Sequence, residues 1–591
     1  MNPSNDRKNW TLPNEPFFVR LLSTANDVEE DHIIIHDPAR GGLRANYTRF
    51  LHDVMIMRDT IIHSLQSDLF DDKGIIREER PFIIIISPPC YYYYVAFYAV
   101  LALGGAPAVL SPGILPEEAK YLLNLLKPSC VLFALEYGTK IAEIKAYLQG
   151  QIPSQELIDI PMAIPKEMER LGLVKKFSDL NIKIEKNTNI SPDRPSVVLF
   201  TSGTTGPPKG VVHTRNLYNQ ASHLGGVDDV FLSTFIATHW VGGTVISTRC
   251  LISGTRLEIF DLHINELGVM WDRFRQGDIT IVTASPHLWT RLARYFEDEI
   301  SRLAVLECNA YVDGIRSIRL PISGTISLQP SLLQFWKQTI GLELDNVYNS
   351  TELGMMKAWT PVRRDIEASI PKMWSTGDRV LISGTSAINW EATSWRGRDP
   401  DATKDAFDKD GFYKTGDEAH LDGEAYIFDG RLNNDFVKIF GFKAPIPAIE
   451  IQLMELPYIE EAYVVPVPDP SIIGEHVAAL IRLKKTKIDV KQNPATLQNI
   501  RRDLTLDRGV RTGSLPTMLR VLREDERIPR TDAGKPLRKQ IAKLFFPGIS
   551  EMKLMSIPEV EVWDFTKNGA RTEKPWDWAA MQRSEHDFFT S

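Results

Sequence analysis

The sequence predicts an α/β protein: a large N-terminal domain of α/β subdomains built on buried sheets, followed by a small, mobile α+β C-terminal domain. Three observations carry that expectation. Short β-branched runs alternate with longer segments of helical spacing over most of the chain, the pattern of sheets covered by helices. The runs are almost wholly apolar, as strands buried on both faces are. Near Gly430 the texture changes to a Gly/Asn-rich turn and then a compact stretch with strands of its own.

Taken in order, the first informative stretch lies between Arg80 and Glu117, which encloses no charged residue. A membrane span needs roughly 20 uninterrupted apolar residues. Pro88-Pro89 and Gly104-Gly105 cut this stretch, so it reads as a strand at 82–86, a helix over 91–103 and a second strand, and no transmembrane span is expected. Further strands are expected at 108–110, 131–133, 197–200 and 279–283, with 117–126 spaced as a helix. The turn Asp429-Gly430-Arg431-Leu432-Asn433-Asn434 reads as a linker over 430–434, and strands follow at 462–467 and 477–483. The expected domains are therefore 1–431, 432–544 and a C-terminal extension, 545–591. Disordered tails are poor in aromatics, so Trp563, Trp576 and Trp578 predict an extension that packs back onto the body.

Composition excludes several classes. The 591 residues are 43% hydrophobic and 24% charged, with a net charge of −8, an ordinary globular balance without the basic face of a nucleic-acid binder. Cys90, Cys130, Cys250 and Cys308 stand far apart with no CxxC pair, which argues against a disulfide framework or structural zinc and for a reducing compartment. The start, MNPSNDRKNW, lacks a secretory layout and the last residues do not read as SKL, so a cytoplasmic location is expected.

The sharpest local signal is Thr201-Ser202-Gly203-Thr204-Thr205-Gly206-Pro207-Pro208-Lys209-Gly210, placed directly after a strand-like run. Glycines let backbone N–H groups approach a polyphosphate, hydroxyls add donors and a lysine offsets charge. Composition alone would equally suit a surface loop, and the string is not a Walker loop, because Pro208 precedes Lys209 and Gly210 follows it. The order of residues resembles the signature loop of the adenylate-forming (AMP-binding) superfamily, which includes acyl-CoA synthetases, peptide-synthetase adenylation domains and luciferases.

Further segments resemble that family in the same order, and the resemblance covers roughly residues 40–545. Asn346-Val347-Tyr348-Asn349-Ser350-Thr351-Glu352 is similar to its YGxTE motif, which implies Tyr348 against adenine, Thr351 on the α-phosphate and Glu352 on magnesium. Asn349 replaces the usual glycine, and Asn is the residue that best tolerates the same backbone. Phe412-Tyr413-Lys414-Thr415-Gly416-Asp417 resembles the segment whose aspartate binds both ribose hydroxyls, and Arg431 resembles the arginine that assists there. Ile528-Pro529-Arg530-Thr531-Asp532-Ala533-Gly534-Lys535 resembles the loop carrying the catalytic lysine. Ser323-Gly324-Thr325 resembles the turn beside adenine, and Gly441-Phe442-Lys443 the turn lining a pantetheine channel. Thr238-His239-Trp240-Val241-Gly242-Gly243 resembles the substrate-side segment. His239, Trp240, Val241, Gly242, Gly354 and Met355 are the implied pocket, and His239 is also an implied catalytic residue.

The resemblance implies two half-reactions with ATP, Mg2+ and coenzyme A. A small-molecule carboxylic acid attacks the α-phosphate, giving acyl-AMP and pyrophosphate, and a thiol then takes the acyl group. The acceptor stays open at this stage. The hinge region Asn433-Asn434-Asp435 is one residue longer than usual and Phe440 stands where relatives carry a small or polar residue, so an amine, an alcohol or a carrier-protein thiol competes with coenzyme A. A nucleotide-binding pseudoenzyme is the alternative from another class. The acid is also open: a malonate-like one would want a second cation, for which Arg291 is the candidate.

Overall fold

A computed structural model describes residues 10–151, 157–163, 176–201, 209–219, 225–234, 244, 246–261, 266–324, 328, 330–348, 351, 358–359, 373–375, 380–382, 413–414, 417–422, 425–431, 435–439, 442–468, 475–484, 495–508, 515–530, 536–547 and 559–563. The chain divides into two compact units, Met1–Pro371 with Ser383–Asp410, and Lys372–Ile382 with Gly411–Ser591.

The first unit contains a six-stranded sheet in the order Lys209–Thr214, Pro195–Thr201, Ala106–Leu110, Phe82–Ile86, Val131–Phe133, Asp159–Pro161. Its strands run parallel except for the antiparallel pair at the Lys209–Thr214 edge. The expected strand, helix and strand appear as Phe82–Ile86, Tyr91–Ala102 and Ala106–Leu110. Gly104, at φ +72°, ends that helix in the left-handed conformation that glycine adopts without cost.

An eight-stranded sheet has the order Ala358–Trp359, Asp345–Tyr348, Leu320–Gly324, Ile281–Ala284, Val230–Ser233, Arg256–Ile259, Ile33–Asp37, Leu43–Asn46. It is parallel in the middle and antiparallel at both edges. One continuous core joins the two sheets: Ile83, Ile85, Val197 and Leu199 of the first, and Phe231, Leu257, Ile281 and Ile322 of the second, belong to the same cluster as the Tyr91–Ala102 helix. Every side chain of that helix except Tyr92 is buried. Two of its tyrosine hydroxyls reach partners inside the core: Tyr91 donates to Asp53 Oδ2 (2.7 Å) and Tyr98 to the Thr248 carbonyl (2.5 Å). A buried hydroxyl left without such a bond costs about 1–3 kcal/mol.

In the second unit the strands Ile459–Pro468, Glu475–Leu483, Met518–Val521 and Val560–Val562 form one sheet. Period-two alternation sends Val464, Val477, Ala479 and Leu519 toward the helices Ile446–Met454 and Leu497–Arg508. It sends Tyr463, Val465, Ala478 and Met518 toward the helix Arg538–Phe545. The last strand belongs to the C-terminal extension. Trp563 donates its backbone N–H to Thr517 O (2.9 Å), and the Arg501 guanidinium lies 4.0 Å from its ring centroid. The extension therefore packs back as its tryptophans suggested, as far as Trp563; Trp576 and Trp578 lie outside the described residues.

One expectation needs correcting. The linker was read as beginning at Gly430, yet Gly430 and Arg431 belong to the strand Ala425–Arg431, which pairs with Asp417–Asp422. Gly430 pairs with Glu418, and the register shift between Glu418 and Ala419 skips Asp429, so a turn-like composition conceals ladder pairing.

Gly314, on the helix Val305–Arg316, lets it approach the helix Leu267–Arg275 closely. A Cβ there would stand 2.3 Å from Phe274 O and 2.7 Å from Arg275 Cα. Backbone cannot retreat as a flexible side chain can, so Gly314→Ala is expected to destabilise the protein by about 1–3 kcal/mol. A thermal midpoint equal to wild type would contradict that packing.

Candidate active site

The phosphate-loop candidate rests on a buried strand. Val197, Val198 and Leu199 of Pro195–Thr201 are buried, and the strand pairs antiparallel with Lys209–Thr214 in a register that sets Thr201 opposite Lys209. The pair closes the base of the 202–208 loop. Ser202, Gly203, Thr204, Thr205 and Gly206 themselves lie outside the described residues. At the far end the register shifts between His213 and Thr214. There Ser196 Oγ shares its proton between the carbonyls of His213 (3.0 Å) and Thr214 (2.7 Å).

Arg215 anchors the exit of this strand. Its guanidinium donates to Glu15 Oε2 (2.8 Å), Gly105 O (2.9 Å) and Leu101 O (3.2 Å). Burial pushes the Arg215 pKa down and the Glu15 pKa up, with each partner opposing the shift of the other. Removing one member of such a pair leaves a buried charge uncompensated.

The second sheet carries the other segment that the resemblance assigns to the nucleotide. Leu320–Gly324 runs parallel to both Ile281–Ala284 and Asp345–Tyr348, with Ser323 opposite Asn346 and Gly324 opposite Val347. Ser323, Gly324 and Tyr348 thus sit toward the carboxyl ends of adjacent parallel strands, with Asn346 beside Ser323, where open α/β sheets form their ligand crevices. Ser323 is fully buried, and its Oγ has no hydrogen-bond partner among the described residues. Thr351 follows this strand. Thr325, Glu352, Gly354 and Met355 lie outside the described residues, as do His239, Trp240, Val241 and Gly242.

His213 joins the two halves, and sequence reasoning missed it. Its Nε2 lies 2.9 Å from the backbone carbonyl of Thr351. A carbonyl only accepts, so Nε2 carries the proton. The ring is fully buried, and burial pushes its pKa from the usual 6.5 down to about 4, against the opposing effect of the Thr351 bond. The available signal was a histidine directly after the apolar pair Val211-Val212, on the strand that leaves the loop candidate.

In the second unit the register sets Asp417 directly opposite Arg431, so the two residues expected at the ribose share one rung of a ladder. The hairpin Phe436–Ile439/Phe442–Pro445 pairs Ile439 with Phe442 and Lys438 with Lys443, leaving Phe440 and Gly441 as its connection, outside the described residues. Lys535 also lies outside them. The loop that carries it is closed at its base by an antiparallel bridge between Arg530 and Pro536, and by Leu537 N donating to Pro529 O (3.0 Å).

Among the described residues no group of three or more His, Cys, Asp or Glu could hold a metal. Magnesium bound to a nucleotide needs no such cage: phosphate oxygens, water and one carboxylate complete its octahedron. Glu352, to which the resemblance assigns that carboxylate, lies outside the described residues.

Comparison with known proteins shows the family and the fold. The family model described as AMP-binding enzyme matches residues 67–379. An acyl-CoA ligase of Aspergillus oryzae is 32% identical over 550 residues, covering 91% of this chain and 93% of that protein. A mitochondrial malonate–CoA ligase of Xenopus laevis is 26% identical over 496 residues, covering 77% and 81%. Among solved structures, ATP-bound MatB from Rhodopseudomonas palustris superposes with a TM-score of 0.66 at 20% identity, covering 90% of this chain and 99% of that one. That last likeness concerns the fold. The chain belongs to the AMP-binding enzyme family, and its α/β architecture is the adenylate-forming one.

The neutral, buried His213 makes stability depend on pH. The unfolded chain takes up a proton near pH 6.5, while the folded ring resists until about 4. Its contribution is therefore complete above 6.5 and is lost as pH falls toward 4, by about 3 kcal/mol. The stability advantage of wild type over His213→Gln should shrink by that amount from pH 7 to pH 4. A gap that stays constant across the window would contradict the assignment.

Proposed function

We propose that this protein is an AMP-forming acid–thiol ligase that activates a small-molecule carboxylic acid with ATP and transfers the acyl group to coenzyme A. One observation carries the reading. The ten-residue loop string falls within the segment matched by the AMP-binding enzyme model and is clamped at its base by the Thr201–Lys209 pair. The acyl-CoA ligase that is 32% identical over 91% of this chain supports coenzyme A as the acceptor.

In the first half-reaction a carboxylate oxygen bonds to the α-phosphorus as the bridge to the β-phosphate breaks and pyrophosphate leaves. Magnesium, when bound, neutralises charge on the phosphate oxygens. The 202–208 loop binds the β- and γ-phosphates with backbone N–H groups and hydroxyls, and Lys209 adds a positive charge. Tyr348, Ser323 and Gly324 flank adenine, Asn346 supports that wall, Thr351 holds the α-phosphate, and Asp417 with Arg431 fixes the ribose. Lys535 stabilises charge on the pentavalent phosphorus and on the attacking carboxylate. In the second half-reaction a thiol sulfur bonds to the acyl carbon and AMP departs, with Gly441 and Lys443 lining the thiol's approach.

We assign 1–431 to nucleotide and acid binding, 432–544 to the moving domain with its lysine, and 545–591 to a brace on that domain. We assign His239, Trp240, Val241, Gly242, Gly354 and Met355 to the acid pocket, which suits an acid with an apolar body, and His239 also to a catalytic role. A cytoplasmic location fits the composition, and the net charge of −8 favours small-molecule over nucleic-acid partners. Phe440, at the connection of the hairpin, favours a second reading in which a smaller amine or alcohol takes the acyl group.

Pyrophosphate release with MgATP and a panel of carboxylic acids, with and without coenzyme A, tests the reading. Release that depends on one acid class and accelerates with coenzyme A is expected, and release indifferent to it would move the acceptor elsewhere. Lys535→Ala should slow adenylation by about 10²–10³, and a rate within about threefold of wild type would remove Lys535 from the mechanism.

A further inference from the structure

The two nucleotide segments arise from different sheets. The phosphate-loop strand Lys209–Thr214 is the edge of the six-stranded sheet, and Thr351 follows Asp345–Tyr348 of the eight-stranded one. A hydrogen bond from His213 Nε2 to Thr351 O, 2.9 Å long, spans that division. His213 stands four residues beyond Lys209 on a strand whose other end closes the loop. Thr351 immediately precedes Glu352, the magnesium candidate. The strand is also fixed behind His213 by the Arg215–Glu15 pair and by Ser196, so the imidazole extends from a braced backbone.

We infer that His213 is a positioning residue for adenylation, which sets the distance between the strand Lys209–Thr214 and Thr351 by holding the Thr351 carbonyl. The inference rests on the adenylation reading above. It assigns His213 no contact with substrate and no proton transfer. Its effect falls on the first half-reaction, because the β- and γ-phosphates held by one segment and the α-phosphate held by the other must lie in line with the attacking oxygen. Once pyrophosphate has left, that alignment no longer matters, and attack of the thiol on the acyl carbon should proceed without it.

The test uses His213→Leu, His213→Gln and His213→Asn in the full chain, with two assays. The first is acid-dependent exchange between ATP and labelled pyrophosphate. The second is thioester formation from added acyl-adenylate and coenzyme A. Glutamine places its amide nitrogen close to the position of Nε2, whereas asparagine places it near Nδ1. The leucine and asparagine variants are expected to lose roughly 10–100-fold in kcat/KM for ATP, the scale of a misplacement of about 1 Å. Glutamine should recover most of that loss, and thioester formation should stay within about twofold of wild type in every variant.

Should the leucine variant fail to fold, the glutamine–asparagine comparison carries the same contrast. Exchange at wild-type level in the asparagine variant would overturn the inference. Equal losses in both assays would overturn it as well, since they mark a purely structural histidine. Wild-type protein that exchanges no pyrophosphate with any acid would overturn the adenylation reading itself and this inference with it, an outcome distinct from active wild type with indifferent variants.

Discussion

The strand Lys209–Thr214 is held along its length by bonds that form only when four separate parts of the first unit are in place. Thr201 pairs with Lys209 at one end. Ser196 bonds the carbonyls at the bulge, His213 reaches Thr351, and Arg215 beyond the strand binds Glu15 and the carbonyls of Leu101 and Gly105. A loop that binds polyphosphate gains nothing from glycines unless its two ends are fixed, because the backbone N–H groups must already point inward when the ligand arrives. The constraint is one of preorganisation. It explains why a charged pair is kept buried behind an edge strand, where desolvation opposes it and an apolar pair would cost less.

The same device recurs in the second unit at smaller scale. The Arg530–Pro536 bridge closes the base of the lysine loop, the Ile439–Phe442 pair closes the hairpin turn, and Asp417 and Arg431 oppose each other in a two-stranded ladder. In each case the functional segment is short and its flanks are paired. The extension adds a strand to the edge formed by Met518–Val521, from which the chain continues toward Arg530, and the Glu559 carboxylate bonds both Arg520 and Arg523. A sheet edge that leads toward the lysine-loop candidate is thereby covered.

Much of this was legible in the sequence. Residues 82–86 and 131–133 are strands with the expected ends, and the charge-free stretch after Arg80 folds as strand, helix and strand, because prolines and paired glycines interrupt it where the chain must turn. The family could be read from residue order, since close approach to phosphate tolerates few residue types. What could not be read depends on partners far apart in sequence. Glu15 and Arg215 are 200 positions apart and His213 and Thr351 are 138 apart, and neither pair leaves a periodic trace. Gly430 misled for the opposite reason: its local composition is that of a turn, while its pairing with Glu418 is set by the ladder.

The central claim is that a carboxylate attacks the α-phosphorus of ATP. Supplying the acid with heavy oxygen in its carboxyl group and analysing the products by mass spectrometry tests this most directly. The account predicts one heavy oxygen in AMP after thioester formation and none in pyrophosphate. Heavy oxygen in inorganic phosphate accompanied by ADP would contradict it, because the acid would then have attacked the γ-phosphorus.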